Sequence, residues 1–152
     1  MGGGPVYDEG EVRRHLEAGK ISDVLVRFAR YLDERSWRAY ADLYTEDCIL
    51  NTSAATHRGR KGLAEFVERD LGGYTATHHV TANHSIAIDR DTATVRSSLH
   101  ATHVRDGDPE DFWAVGGWYD TILHRTSEGR WMIHSVTINP VWRLDTRSQT
   151  PR

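Results

Sequence analysis

Nine histidines sit in this chain of 152 residues, beside 22 Asp and Glu side chains. Histidine is the side chain whose unperturbed pKa, about 6.5, lies nearest neutrality, so modest changes in its surroundings make it an acid or a base. Where the nine fall decides which can act. His103 has the parity of Val95, Leu99 and Ala101, and so belongs to the apolar side of its strand. His84 has the parity of Ile86 and Ile88, while His100 faces the other way. His78 and His79 are neighbours; a regular strand sends them to opposite faces, and a bulge would exchange them. His124 and His134 flank the turn Ser-Glu-Gly-Arg and can face each other across a hairpin. Asp120 shares a face with Ala114, Gly116, Trp118 and Ile122, where an unpaired carboxylate is costly. Either that face is exposed, or Asp120 is a pocket group held by a His or Tyr; the pocket position is the expectation. Asn139, on the last strand, is a further polar candidate.

Other chemistries find less support. His78–His79 or His100–His103 with a nearby carboxylate could make a two-His-one-carboxylate metal site, but no HExxH or comparable ligand spacing is present. No metal and no cofactor is expected. There is no GxSxG, and Cys48, in an apolar segment, suits packing better than nucleophilic catalysis.

Composition narrows the class. The 19 Lys and Arg against 22 Asp and Glu leave a net charge of -3, which gives no electrostatic reason to expect nucleic acid or an anionic membrane surface. A single cysteine excludes an internal disulfide framework and a cysteine-rich zinc site. No apolar run approaches the roughly 20 residues that span a bilayer. The start, MGGGPVYDEG, lacks the basic and apolar regions of a signal peptide, so a cytoplasmic location is expected. The length suits one domain, expected over residues 9–142, between a flexible tail over 1–8 and a frayed tail over 143–152.

The elements that must position the histidines divide into two halves. In the first, Glu9 to Ala18 reads as a short helix stopped by Gly19. Ser22 is a suitable N-cap for a second helix, in which Ile21, Val24, Leu25, Phe28, Tyr31 and Leu32 form one apolar stripe with Asp33 at its edge. A short helix follows over Trp37–Tyr44, then a strand near Cys48–Asn51, then a helix over Arg60–Leu71 ended by Gly72-Gly73. The second half alternates as strands over His79–Ile88, Ala93–Val104, Phe112–His124 and Arg130–Trp142. The Gly116-Gly117 step marks a bulge or bend. This order argues an α+β fold: a strongly bent, cone-shaped antiparallel sheet with three to four helices closing a small-molecule pocket. Trp113, Trp118, Tyr119 and Trp142 suit a pocket lining or a subunit interface, and a homo-oligomer, dimer or trimer, is expected.

Several motifs together resemble a known superfamily. The run RYLDERSWRAYADLYTEDCIL followed by HRGRKGLAEFV resembles the opening of nuclear transport factor 2-like domains. The segments HHVTANHSIAI, SSLHATHV and GGWYDTILHRTSEGRWMI fit the SnoaL-like branch. The match covers about Ser22 to Trp142. Within the branch, the chain resembles scytalone dehydratase and related lyases. That resemblance puts Asp33 on the family's helix Asp, His79 on its paired strand His, His103 on a second His and Asp120 on a pocket Asn. The two water-holding tyrosines of the dehydratase fall on Leu32 and Thr52, so a phenol would have to come from Tyr31, Tyr40, Tyr44 or Tyr119.

The implied chemistry is metal-free. With Asp33 fixing its tautomer, His79 would take a proton α to a carbonyl, and its imidazolium, or His103, would protonate a departing hydroxyl. The resemblance therefore implies a dehydratase or isomerase of secondary metabolism, acting on a small cyclic or polyketide-like hydroxy-carbonyl compound. Asp33, His79 and His103 would be catalytic, and Asp120, Tyr31, Tyr44, Trp118, Tyr119 and Asn139 would bind substrate. A cyclase or epoxide-opening enzyme using the same pocket is an alternative. So is a non-catalytic ligand-binding module, or the small subunit of an oxygenase.

Overall fold

The computed structural model describes residues 6–148. The N-terminal tail expected over 1–8 falls partly outside these, as does the end of the C-terminal tail. The first helix, α1, runs unbroken from Glu9 to Asp33, with Asp8 as its N-cap accepting from the Gly10 N–H. Gly19 does not end it. A glycine inside a helix costs about 1 kcal/mol relative to alanine, and tertiary burial outweighs that here. Ile21, Val24, Leu25, Phe28, Ala29 and Leu32 recur at helical spacing and are all buried. Ser22, read as an N-cap, is instead inside the helix, with its hydroxyl 2.9 Å from His84 Nδ1. Arg35, in the left-handed region at φ 59, turns the chain just past the helix end.

The remaining helices are short: α2 over Trp37–Ala41 and α3 over Leu63–Leu71. Gly62, at φ 79, supplies the turn into α3. The strands are β1 (Tyr44–Asn51), β2 (Thr56–Arg58), β3 (Ala76–Asp89), β4 (Thr92–Arg105), β5 (Asp108–Arg125) and β6 (Trp131–Asp145). They form one curled sheet in the order β2-β1-β6-β5-β4-β3, in which only the β1–β6 pair is parallel. The α+β cone expected from the sequence is therefore present.

Two differences at the strand level matter for the site. Residue β3 Asn83 stands at φ 53, and the β3–β4 register shifts between Ala82 and Ser85. This bulge keeps His79 and Thr81 on the same face as Ile86 and Ile88, although their numbers have opposite parity. The second difference is at the C-terminus. β6 continues to Asp145 and is followed by a 3-10 turn over Thr146–Ser148, where a frayed tail was expected. Ion pairs hold that end: Arg105 joins Asp111 and Asp145, and Arg147 joins Asp106 and Asp111.

The concave face of the sheet and α1 enclose the core. Odd-numbered residues of β4 and β5, such as Val95, Leu99, Ala101, Tyr119 and Leu123, meet Phe28, Leu32, Tyr40 and Tyr44 there. The convex face carries the even-numbered residues, including Arg96, Trp118 and Asp120.

Candidate active site

At its wide end the cone is not filled. A cavity of about 310 Å³ remains, walled by Phe28, Leu32, Phe66, Leu99, Val115 and Ile138. Its polar groups are few: His79, His103, Tyr40 and Tyr119 inside, with Thr52, Ser53, Asp70 and Arg143 also on its lining. A largely apolar enclosure with a few converging polar groups is the usual form of a small-molecule site.

Asp33 and His79 meet at this cavity. Asp33 is the last residue of α1, so the helix end delivers its carboxylate to the edge of β3. The His79 ring Nδ1 lies 2.7 Å from Asp33 Oδ1, and the His79 backbone N–H donates to Oδ2 at 2.9 Å. The Thr77 hydroxyl, two residues earlier on the same face, donates to Oδ1 at 2.9 Å. Burial alone would raise the Asp33 pKa. The ring and backbone hydrogen bonds from His79, its charge and the Thr77 hydroxyl outweigh that and hold the carboxyl below its ordinary value. Asp33 therefore stays ionised and fixes the proton of His79 on Nδ1, leaving Nε2 as the basic nitrogen. The His79 side chain is 7% exposed.

His103 stands beside this pair. Its ring centroid is 5.5 Å from that of His79, nearly perpendicular, and it stacks at 3.8 Å on Trp113. It is 3% exposed, and its Nδ1 is buried without a hydrogen-bond partner among the described residues. Burial, with the charge of His79 adding to it, pushes its pKa down to about 4. His103 is thus a neutral ring at neutral pH. It can offer a hydrogen bond, but is too weakly basic to hold a proton there for delivery.

This burial has a measurable consequence for folding. A histidine whose folded pKa is depressed contributes most above its unfolded value. Its contribution is lost as pH falls from 6.5 towards 4, because the unfolded chain binds the proton first. The full shift is worth about 3 kcal/mol. Urea unfolding followed against pH should show stability falling through that window, with a shallower fall in His103→Gln. An unchanged slope in the variant would contradict a buried neutral His103.

Two phenols complete the interior. Tyr119 is 3% exposed and on the cavity lining, and its hydroxyl makes no hydrogen bond to another described residue. Burial, Tyr40 and the negative charge of Asp33 all push its pKa far up, so it is a permanent donor. Tyr40, also lining the cavity, is hydrogen-bonded to the Tyr44 hydroxyl at 2.5 Å.

The other expected binding residues are elsewhere. Asp120 is on the convex face, paired with Arg96 at 2.9 Å and accepting from Trp118 Nε1 and Asn139 Nδ2. Asp120, Trp118 and Asn139 are therefore one exterior cluster. The apolar neighbours of Asp120 belong to the outside of the sheet, and Arg96, its cross-strand partner, supplies the charge that makes the position tolerable. Tyr44 is fully buried behind Tyr40, and Tyr31 packs at the edge of the core, with Arg30 over its ring. His78 points away from His79 as a regular strand requires, since the bulge comes only at Asn83. His84 is held between Ser22 and Thr81, and its burial lowers its pKa.

Sequence reasoning missed three contributors. Thr77 shares the parity of His79, and the Thr-x-His spacing was the available signal. Tyr74 accepts from Trp113 Nε1 at 2.8 Å and flanks His103. Arg143, which the sequence places in a tail, is part of β6 and lines the cavity. Among the described residues, no three of His, Cys, Asp and Glu converge as metal ligands. No helix among them is long and apolar enough to cross a membrane.

Known proteins share this architecture. A candidate scytalone dehydratase from Novosphingobium aromaticivorans superposes with a TM-score of 0.78, at 20% identity, over 87% of this chain and 89% of its own. A hexachlorocyclohexane dehydrochlorinase, LinA type 2, superposes with a TM-score of 0.78, at 15% identity, over 89% of this chain and 92% of its own. In sequence, the uncharacterized protein Rv2910c of Mycobacterium tuberculosis (strain ATCC 25618 / H37Rv) is 27% identical over 134 residues, covering 82% of this chain and 90% of that protein. The SnoaL-like domain family matches residues 13–137, from the first turns of α1 to β6, and the chain belongs to that family.

Proposed function

We propose that this protein is a cofactor-independent acid–base enzyme, a dehydratase or isomerase, acting on a small cyclic hydroxy-carbonyl compound. The observation that carries this reading is the Asp33–His79 pair, with the second ring nitrogen free at the wall of an enclosed, mostly apolar cavity. His79 Nε2 takes the proton α to the carbonyl. The Tyr119 hydroxyl, held neutral by burial, donates a hydrogen bond to the carbonyl oxygen as negative charge builds there. The imidazolium of His79 then returns its proton to the β-hydroxyl, which leaves as water and gives the conjugated carbonyl product. The same α-proton step followed by reprotonation elsewhere would be an isomerisation. His103, neutral at working pH, orients the substrate by hydrogen bonding and leaves proton delivery to His79. The apolar walls favour a flat, cyclic substrate over a flexible charged one. Two structural neighbours carry names of elimination enzymes, which fits this choice.

The direct test is a panel of cyclic β-hydroxy ketones in deuterium oxide, with binding measured by calorimetry. For a bound compound, proton NMR should show exchange of the α hydrogen, and the absorbance of the conjugated product should appear. Compounds that bind in the cavity but neither exchange nor eliminate would overturn the reading.

A further inference from the structure

Arg143 lines the cavity, yet the chemistry above gives it nothing to do. It pairs across the β5–β6 ladder with Val115, a cavity-wall residue, so its side chain leaves the concave face of the sheet. Its guanidinium lies over the indole of Trp113, 4.3 Å from the ring centroid. Trp113 stacks in turn on His103. A cation held against an aromatic face is fixed in direction but keeps its N–H donors unspent along the ring edge.

The surrounding arginines contrast with it. Arg105 and Arg147 are tied to Asp106, Asp111 and Asp145, and Arg96 to Asp120. Among the described residues, Arg143 has no carboxylate partner and no hydrogen-bond acceptor. Asp145, two residues along the same strand, is within reach of the Arg143 charge but makes its hydrogen bond to Arg105. Among the described cavity-lining residues the one carboxylate is Asp70, near the end of α3. The lining therefore carries one positive and one negative group, and an anion is drawn to the first and repelled by the second.

We propose that Arg143 is the substrate-anion residue of this cavity, and that the natural substrate carries a carboxylate which Arg143 binds while the ring lies against the apolar walls. This rests on the cavity being the substrate site. It adds the substrate class, a cyclic hydroxy-carbonyl acid, and a specificity residue outside the Asp33–His79 pair. A guanidinium fork matches a carboxylate bidentately, whereas a neutral carbonyl uses one donor.

The test uses two flat probes of nearly the same shape: sodium benzoate and benzamide. Binding to the full chain is measured by calorimetry at fixed salt, with the melting temperature of each variant recorded. Benzoate should bind about tenfold or more tightly than benzamide, the usual scale of one charge-assisted hydrogen bond. Arg143→Gln should remove that preference while leaving benzamide affinity and melting temperature close to those of the unmodified protein. Asp70→Asn should increase benzoate affinity without changing that of benzamide. No preference in the unmodified protein, including no binding of either probe, would overturn the proposal, as would a preference that survives in Arg143→Gln. Neither probe has a hydroxyl to eliminate. An inactive Asp33–His79 pair would therefore leave this result intact, and a failed result here would leave the acid–base reading standing.

Discussion

His79→Ala should lower kcat by about 10²–10⁴-fold, the range that a positioned general base contributes. Asp33→Asn should fall in the upper part of that range. The carboxylate accepts from the His79 ring at 2.7 Å, and that contact places the ring proton on Nδ1. An Asn amide can present its NH2 group to the same nitrogen and favour the tautomer with the proton on Nε2, where the reaction needs a lone pair. In a serine-protease triad, the same acid-to-amide change costs about 10⁴-fold in kcat through the wrong tautomer. The two variants separate catalysis from binding. Neither position contributes much of the apolar wall that holds a ring, so ligand affinity should change little in both. Stability should also hold in Asp33→Asn, because the amide oxygen at the Oδ2 position still accepts from the His79 backbone N–H and the Thr77 hydroxyl can turn to accept from the new NH2 group. Steady-state kinetics on a turned-over compound, with calorimetry and thermal melting on the same preparations, reads all three. Full activity in both variants would remove the pair from the mechanism.

How far these residues could be read from sequence depended on how regular the chain is around each. The odd-numbered side chains of β4 and β5 face inward without interruption over the cavity, so parity alone placed His103 correctly. For His79, parity within its own strand misleads. Counting back from Ile88 and Ile86 assigns it to the outside, and only the bulge at Asn83 restores it to the inside. The resemblance supplied what periodicity could not. Gly19 looked like a helix stop because local propensity disfavours it, but the stripe from Ile21 to Leu32 binds the helix to the sheet and overrides the local cost. Asp120 failed for a different reason. Its apolar neighbours on β5 read as a pocket face, but the partner that makes the position tolerable, Arg96, comes from the adjacent strand. Cross-strand pairing of that kind leaves no mark in the spacing of a single strand.

Gly117→Ala should be the most damaging conservative change in the sheet, costing about 3 kcal/mol or more. A Cβ at Gly117 would sit 2.0 Å from the Asn139 carbonyl oxygen and 3.0 Å from the Val141 nitrogen, both backbone atoms. Neither can rotate away, so β5 and β6 must separate. Gly116→Ala makes a useful contrast. Its Cβ would meet the Trp142 ring at 2.1 Å, but that indole is 46% exposed and can swing outward, at a cost of about 1 kcal/mol. Urea midpoints for the two variants should therefore differ clearly, with Gly117→Ala far lower; equal midpoints would mean that the backbone contact is not a constraint. The reason for the close approach lies in the register. Gly116 pairs with Trp142 and Gly117 with Pro140, which leaves Val141 as the extra residue of a bulge. Counted without that bulge, β6 would send Trp142 into the cone and Arg143 to the outside. With it, Trp142 covers the convex face at His100, and Arg143 reaches the cavity over Trp113. A Gly-Gly step in one strand thus decides which side chain of its neighbour faces the cavity.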